Sequence, residues 1–206
     1  MLEKEKRENM KKDIILAGVG GQGILTIAAA IGLAAVEIGM FLKQAEVHGM
    51  SQRGGDVQSH LRLSDKEIAS DLIPFGKADM IISVEPMEAL RYLPMLSSEG
   101  WIITNTKPFI NIPNYPDYDK LILEIKKQPQ YIALDADKIA KELGSPKSAN
   151  IVILGASIPF LEIEYSKLEN SLNKLFSRKG EAVLKKNLDA MKAGKEYTEK
   201  QLNVTA

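Results

Sequence analysis

A chain of 206 residues, 45% hydrophobic and 26% charged, can build one α/β domain with a proper core, with or without a helical appendage. Its 27 basic and 27 acidic side chains cancel, so there is no positive field for nucleic acid, and an anionic ligand would have to be held by local donors. Zero cysteines exclude disulfides, thiolate catalysis and Cys-ligated iron–sulfur clusters, and two histidines, His48 and His60, argue against a His-rich metal centre.

The first residues, Glu3-Lys-Glu-Lys-Arg-Glu8, are charged and carry no apolar stretch fit for a signal peptide. Residues 1–11 therefore read as a disordered extension, with Met10 a possible start of the domain proper. No uninterrupted apolar run reaches the roughly 18 residues a membrane span needs, so the expectation is a cytoplasmic protein.

Ile14–Ala17 is an unbroken apolar run, the form of a strand buried on both faces. Four glycines follow within six positions, and a helix rich in Ala, Ile and Leu runs from Gly23 to Ile38, with Gly39 as its stop. Phe41–Val47 is a second strand that would complete a right-handed βαβ unit. Gly49–Asp56 is a polar loop. Val57, Leu61 and Leu63 then alternate with polar neighbours, Ser64-Asp65-Lys66 turns, and Ile68–Ile73 extends again, which predicts an antiparallel hairpin.

Met80–Val84 is another buried strand, followed by Pro86 in the first turn of a helix over Met87–Leu93. Trp101–Thr104 is a strand opening into Asn105-Thr-Lys-Pro108 and a loop punctuated by Pro113 and Pro116. Asp119–Lys127 reads as an exposed helix, Tyr131–Leu134 as the last parallel strand, and Asp135 as the cap of a helix ending near Gly144. Three helical stretches complete the chain: Asn150–Phe160, almost wholly apolar, then amphipathic Tyr165–Phe176, then Lys179–Ala193. The expected fold is a Rossmann-like three-layer α/β/α sandwich. Its sheet is mixed and mostly parallel with an antiparallel hairpin, its last elements are helices, and a single domain covers residues 12–195 before a polar tail, 196–206.

Gly18, Gly20 and Gly23 have the G-x-G-x-x-G spacing that puts a helix N-terminus, with its free N–H groups and positive dipole end, near an anion. A nucleotide-triphosphate loop needs Lys and Ser or Thr next; Ile24 and Leu25 stand there instead. A dinucleotide site wants an acid about 20 positions on for the ribose, which Glu46 could supply. The turn also carries Gly21 and an amide side chain, Gln22. Equally, its glycines can serve only positive φ and close packing.

Glu46-Val-His-Gly-Met-Ser-Gln-Arg-Gly-Gly55 gathers an acid, an imidazole, a hydroxyl, an amide and a guanidinium in ten residues. Arg53 can offer two parallel N–H bonds to a carboxylate or phosphate, with Ser51, Gln52, Gly54 and Gly55 around it. His48 is a weak catalytic candidate that equally fits a role ordering the loop; His60, in an alternating strand, reads as structural. Asn105 and Thr106 stand past the C-terminal end of a strand, where open α/β sheets bind ligands. Asn150 and Gly155-Ala156 are candidates to bring a helix to the same edge. Asn105 and Asn150 also fit a turn and a helix cap. No acid–base pair or nucleophilic triad assembles, which suits a subunit that completes another protein's active site.

Gly-Val-Gly-Gly-Gln-Gly23, Glu46 to Gly55, Ala78-Asp-Met-Ile-Ile-Ser-Val-Glu-Pro-Met-Glu-Ala-Leu-Arg-Tyr-Leu-Pro94 and Asn105-Thr-Lys-Pro108 resemble the gamma-type domain of 2-oxoacid:ferredoxin oxidoreductases. Asn187-Leu-Asp-Ala-Met-Lys-Ala-Gly194 resembles the family's ending, and the likeness spans roughly Lys12 to Lys195. It is greatest to small (beta) subunits of the indolepyruvate type. The resemblance implies CoA-dependent oxidative decarboxylation of a 2-oxoacid to an acyl-CoA, with electrons passed to ferredoxin. Thiamine diphosphate and [4Fe-4S] clusters would belong to a large (alpha) catalytic subunit, leaving no tightly bound cofactor here. Gly18, Gly20, Gly21, Gln22 and Gly23 would bind the cofactor, and Ser51–Gly55, Asn105 and Thr106 would touch CoA or substrate. The partner-facing surface is expected on helix Asn150–Phe160 and loop Pro108–Pro116, and the isolated chain could form a homodimer through it. An independent NAD(P)- or flavin-binding protein and a non-catalytic scaffold are the alternatives.

Overall fold

The computed structural model describes residues 10–48, 54–110 and 112–205. Its strands are β1 (Lys11–Val19), β2 (Phe41–His48), β3 (Asp56–Ser64), β4 (Ala78–Ser83), β5 (Leu96–Asn105) and β6 (Tyr131–Leu134). Its α-helices are α1 (Ile24–Glu37), α2 (Pro86–Arg91), α3 (Tyr118–Lys126), α4 (Ala136–Glu142), α5 (Ala149–Leu161), α6 (Tyr165–Phe176) and α7 (Glu181–Thr205). All six strands join one sheet in the order β2-β3-β1-β4-β5-β6. Strands β1, β4, β5 and β6 are parallel, while β3 runs antiparallel to both β1 and β2.

The mixed sheet is as expected, but the pairing at its edge differs in two respects. Strand β2 does not lie beside β1: β3 is inserted between them, so the β1-α1-β2 unit is split. The hairpin is β2–β3, in register from Phe41↔Ser64 to His48↔Val57, and residues 68–73 form no strand. Ile68 and Ile73 are buried singly from a loop, which period-2 reading mistakes for a strand. Arg62 holds that loop with Nη1 bonds to the carbonyls of Ser70 and Leu72, while its Nε and Nη2 grip buried Asp13.

Two layers cover the sheet. Ile14 and Leu16 of β1 point into the larger core with α1, α5, α6 and α7, and Ile15 points to the other face with Ile81, Ala89, Met95 and Ile102. Burial on both faces is why β1 reads as a solid apolar run. Strand β1 begins at Lys11, and Met10 is buried with its carbonyl accepting from Asp65 N, so these two residues belong to the fold rather than to the extension.

Helix α5 is not the exposed partner surface expected of it. Residues 151–158 are buried because α7 lies across it. The two helices meet backbone to backbone: a Cβ on Gly155 would stand 2.0 Å from Met191 O, and one on Gly194 2.0 Å from Val152 O. Gly155 therefore serves this helix crossing, not the ligand edge. Helix α7 continues to Thr205, tied down by Thr198 Oγ1 donating to Ala156 O (2.8 Å) and Tyr197 OH donating to Ala133 O (3.1 Å). The stretch read as a polar tail is thus the end of a packed helix. Among the described residues no helix is long and apolar enough to cross a membrane.

Candidate functional site

The glycine turn closes the C-terminal end of β1. Gln22 folds back on it, its N–H donating to Val19 O (3.1 Å) and its Oε1 accepting from Val19 N (2.8 Å). The amide side chain thereby shapes the turn itself. Gly21 and Gly23 have φ of 98° and 82°, in the left-handed region that a side chain penalises. Packing accounts for Gly18, where a Cβ would stand 2.5 Å from Val84 Cγ2. At Gly23 it would stand 2.5 Å from Asn150 Nδ2, which donates to Gly23 O (3.1 Å). Asn150 thus brings α5 to the glycine turn, as its position suggested, but by gripping the turn rather than by capping its own helix.

The turn meets the second constellation through backbone. Gly20 N donates to Gly55 O (2.8 Å), and Gly54 N approaches Gly20 O at 3.5 Å. The structure therefore brings Gly54 and Gly55 against the turn. Ser51, Gln52 and Arg53 lie outside the described residues, as does the side chain of His48. Glu46 does not reach the position a dinucleotide site needs. It pairs with Ser59 of β3, which pairs with Leu16 of β1. A whole strand thus separates it from the glycine-bearing strand, roughly 10 Å at normal spacing. The ribose-binding acid belongs on the strand next to β1, and here that neighbour is antiparallel β3.

Asn105 is buried at the end of β5, and its amide is committed to the protein. Nδ2 donates to Asp137 Oδ2 (2.8 Å) and Val84 O (3.3 Å), while Oδ1 accepts from Ala136 N (3.0 Å) and Lys107 N (3.3 Å). It knits the ends of β4 and β5 to the start of α4, so of its two readings the turn organiser is the one the geometry supports. Thr106 follows at the edge, half-buried, its N–H bound to Leu134 O. His60 is structural as expected: its Nδ1 accepts from Ile73 N (3.0 Å).

Sequence reasoning assigned no role to the acid at the start of α2. Glu85 is fully buried and caps that helix, with Oε2 accepting from Glu88 N (2.9 Å). Its Oε1 accepts from Tyr115 OH and from Phe109 N (3.3 Å), so one carboxylate anchors both ends of the loop after β5. Burial, then the bond to Glu85, pushes the Tyr115 phenol well above its usual range, keeping it a donor. Burial also raises Glu88, opposed by Arg91, whose Nε lies 2.8 Å from Glu88 Oε2. Burial and the neighbouring Asp56 push Tyr92 up to about 12. The signal in the sequence was an acid directly before a helix-starting proline. The loop so anchored presents Phe109, Ile110 and Ile112 to solvent.

On the other side of the glycine turn lies a groove of ≈ 560 Å³. Gly21–Gly23 and Asn150 form one wall, and Lys147, Lys179 and Lys186 stand around it. Nothing in the sequence spacing foretold this, because its walls come from segments more than a hundred residues apart.

Residues 13–197 match the family model described as pyruvate ferredoxin/flavodoxin oxidoreductase. The chain is 36% identical over 194 residues to the indolepyruvate oxidoreductase subunit IorB of Archaeoglobus fulgidus, covering 90% of this chain and 94% of that one. It is 40% identical over 152 residues to the subunit of the same name from Pyrococcus horikoshii, covering 70% of this chain and 75% of that one. In fold it is similar to the 2-oxoglutarate:ferredoxin oxidoreductase of Magnetococcus marinus, solved with 2-oxoglutarate, coenzyme A and succinyl-CoA bound. There the TM-score is 0.73 at 23% identity over 92% of this chain and 31% of that one. A match spanning the whole sheet and its flanking helices, with the glycine turn and the Glu85 corner inside it, leaves one assignment: the chain belongs to the pyruvate ferredoxin/flavodoxin oxidoreductase family, as a small oxidoreductase subunit.

Proposed function

We propose that this chain is the small, cluster-free subunit of an indolepyruvate-type 2-oxoacid:ferredoxin oxidoreductase. With a large subunit it forms the site in which an aryl 2-oxoacid loses CO2. The acyl carbon is oxidised by two electrons and bonded to the sulfur of CoA, whose thiol proton is released. The electrons pass to ferredoxin through the large subunit. The observation that carries this reading is the glycine turn bonded to Gly54-Gly55 at the C-terminal sheet edge, in a chain aligned over nearly the whole length of an IorB subunit.

Other features support the division of labour. A chain without cysteine has no thiolate to ligate a cluster, so the [4Fe-4S] clusters are assigned to the partner, and thiamine diphosphate with them as the family resemblance implies. The exposed Phe109 and Ile110 on an anchored loop suit a surface that a partner covers. A fold neighbour of lower identity was solved with CoA, which supports assigning an acyl acceptor of that kind here. Arg53, with Ser51 and Gln52, is assigned the anionic part of CoA or of the 2-oxoacid, a role its guanidinium suits. Gly18, Gly20, Gly21, Gln22 and Gly23 supply the turn that the ligand approaches, and Thr106 lies at the same edge.

The test is the purified two-subunit complex carrying Arg53→Glu. A charge-assisted contact is worth about 1.5–3 kcal/mol, so KM for CoA or for indolepyruvate should rise by about ten- to hundredfold with kcat less affected. Unchanged kinetics would reject the role of Arg53, and turnover by the small subunit alone would reject the division of labour.

A further inference from the structure

We propose that β2, the open edge of the sheet, pairs antiparallel with β2 of a second copy of this chain across a two-fold axis at Gln44. The two edges of the sheet are finished differently. At β6, Ile102 N and Thr106 N donate to Gln130 O and Leu134 O, so the carbonyl of Ala133 between them points outward, and Tyr197 OH of α7 takes it (3.1 Å). At β2 the outward groups can be read from the ladder. Val84 N donates to Ala17 O, which turns the odd residues of β1 toward β4 and the even ones toward β3. Carried through the two antiparallel registers, that alternation commits Phe41, Lys43, Ala45 and Val47 to β3. It points the N–H and C=O of Leu42, Gln44 and Glu46 away from β3. Among the described residues none bonds to the outward backbone of Leu42 or Gln44. An eight-residue edge strand left in this state is a template for another strand.

A second copy is the occupant because β2 complements itself. A two-fold axis normal to the sheet keeps side chains on their own face, so only residues of like parity stand opposite one another. With the axis at Gln44, two bonds join its N–H and C=O to those of its copy. Phe41 then stands opposite Val47, Lys43 opposite Ala45 and Leu42 opposite Glu46. Phe41 and Val47 are 50% and 59% exposed, on the same face of β2, and this register covers each with the other at both ends of the junction. Lys43, the one charge on that face of β2, meets no like charge and keeps its ion pair with Asp71 (2.9 Å). Moving the axis one residue toward Phe41 would set Lys43 against its own copy, a like-charge pair. Moving it one residue the other way would set Lys43 against Val47 and leave Phe41 beyond the end of the opposite strand. The inference uses neither the glycine turn nor Arg53, so it stands or falls apart from the proposed reaction.

Sedimentation of the full chain over the micromolar to millimolar range, with hydrogen exchange at the Gln44 amide, tests the pairing. The expected result is a monomer–dimer equilibrium in which exchange at Gln44 slows as the dimer fills. Phe41→Lys/Val47→Lys places like charges opposite at both ends of the junction and should weaken the dimer about tenfold or more. Phe41→Glu/Val47→Lys places Glu opposite Lys in this register and should restore most of that loss. Both positions are exposed, so the variants should fold, and their circular dichroism spectra check that they do. The inference is overturned if the chain stays monomeric throughout, or if the dimer is indifferent to the paired lysines and so uses another face. It is also overturned if both charge variants weaken the dimer alike, which would reject the register. Protection of the Gln44 amide in the dilute monomer would show that the chain's own residues close the edge. Protection only on adding the large subunit would give the edge to that partner, and either result would sink the self-pairing.

Discussion

Two glycines in the middle of helices, Gly32 in α1 and Gly155 in α5, should respond in opposite ways to the same substitution. In a helix interior, alanine in place of glycine is favoured by about 1 kcal/mol from backbone entropy alone. At Gly32 the new methyl would meet only the end of the Leu42 side chain, at 2.9 Å, and that tip can rotate aside. Gly32→Ala should therefore be neutral, or stabilising by up to about 1 kcal/mol. At Gly155 the new methyl would meet Met191 O at 2.0 Å, with Met191 C at 2.8 Å behind it. A helical carbonyl cannot rotate aside, so α7 must move away by about 1 Å or more before contact becomes ordinary. Overpacking of this kind costs about 1–3 kcal/mol. The same displacement strains the Thr198–Ala156 bond, worth about another 1 kcal/mol. After the propensity gain, Gly155→Ala should lose about 2 kcal/mol, which for a chain of this length lowers Tm by roughly 4–8 °C. Urea and thermal melts followed by circular dichroism on both variants make the comparison. If Gly155→Ala is as stable as the wild type, or Gly32→Ala loses as much, the backbone contact between α5 and α7 is not what these glycines serve.

Other tests follow from the site. Burial and the neighbouring Arg62 lower the pKa of His60, with Asp13 opposing. Its Nδ1 accepts the Ile73 N–H, so in the neutral ring Nε2 carries the proton and the Gln58 amide, 2.8 Å away, turns its oxygen to it. Because the folded state disfavours the second proton, this contribution is complete above the unfolded-state pKa near 6.5. It is lost as pH falls below that value toward the lower folded pKa. The fall in Tm between pH 7 and pH 5 should be smaller in His60→Gln than in wild type; equal slopes would remove His60 from the account. Tyr115→Phe deletes a hydroxyl donated to a fully buried carboxylate and should cost about 1.5–3 kcal/mol in urea unfolding. It should also speed proteolysis in the loop after β5, and a loss below about 0.5 kcal/mol would mean that Glu85 does not anchor that loop through Tyr115.

Much of this molecule was legible in its sequence because local forces decide it. The apolar run before the glycine turn had to be a strand covered on both faces, Pro86 had to start a helix, and Asp135 had to cap one, as its Oδ1 bond to Lys138 N (2.8 Å) bears out. The glycine turn and Gly54-Gly55 meet through backbone bonds, since one follows the C-terminal end of β1 and the other precedes its antiparallel neighbour β3. Misreadings arose where period or position was ambiguous. Two buried isoleucines in a loop imitate a strand, and an apolar helix looks the same whether a partner or the chain's own last helix covers it.

What only the tertiary structure decided is which segments become neighbours. Strand order is set by the summed packing of the sheet, and inserting β3 beside β1 carries Glu46 away from the turn that its spacing seemed to serve. The Glu85–Tyr115 bond joins residues 30 apart, and the lysine groove joins Gly21 to Lys186. Periodicity is a property of one segment, whereas a shared charge or a methyl-sized gap belongs to two. The chain alone therefore specified its elements and its glycine turn, and the fold determined which side chains meet there.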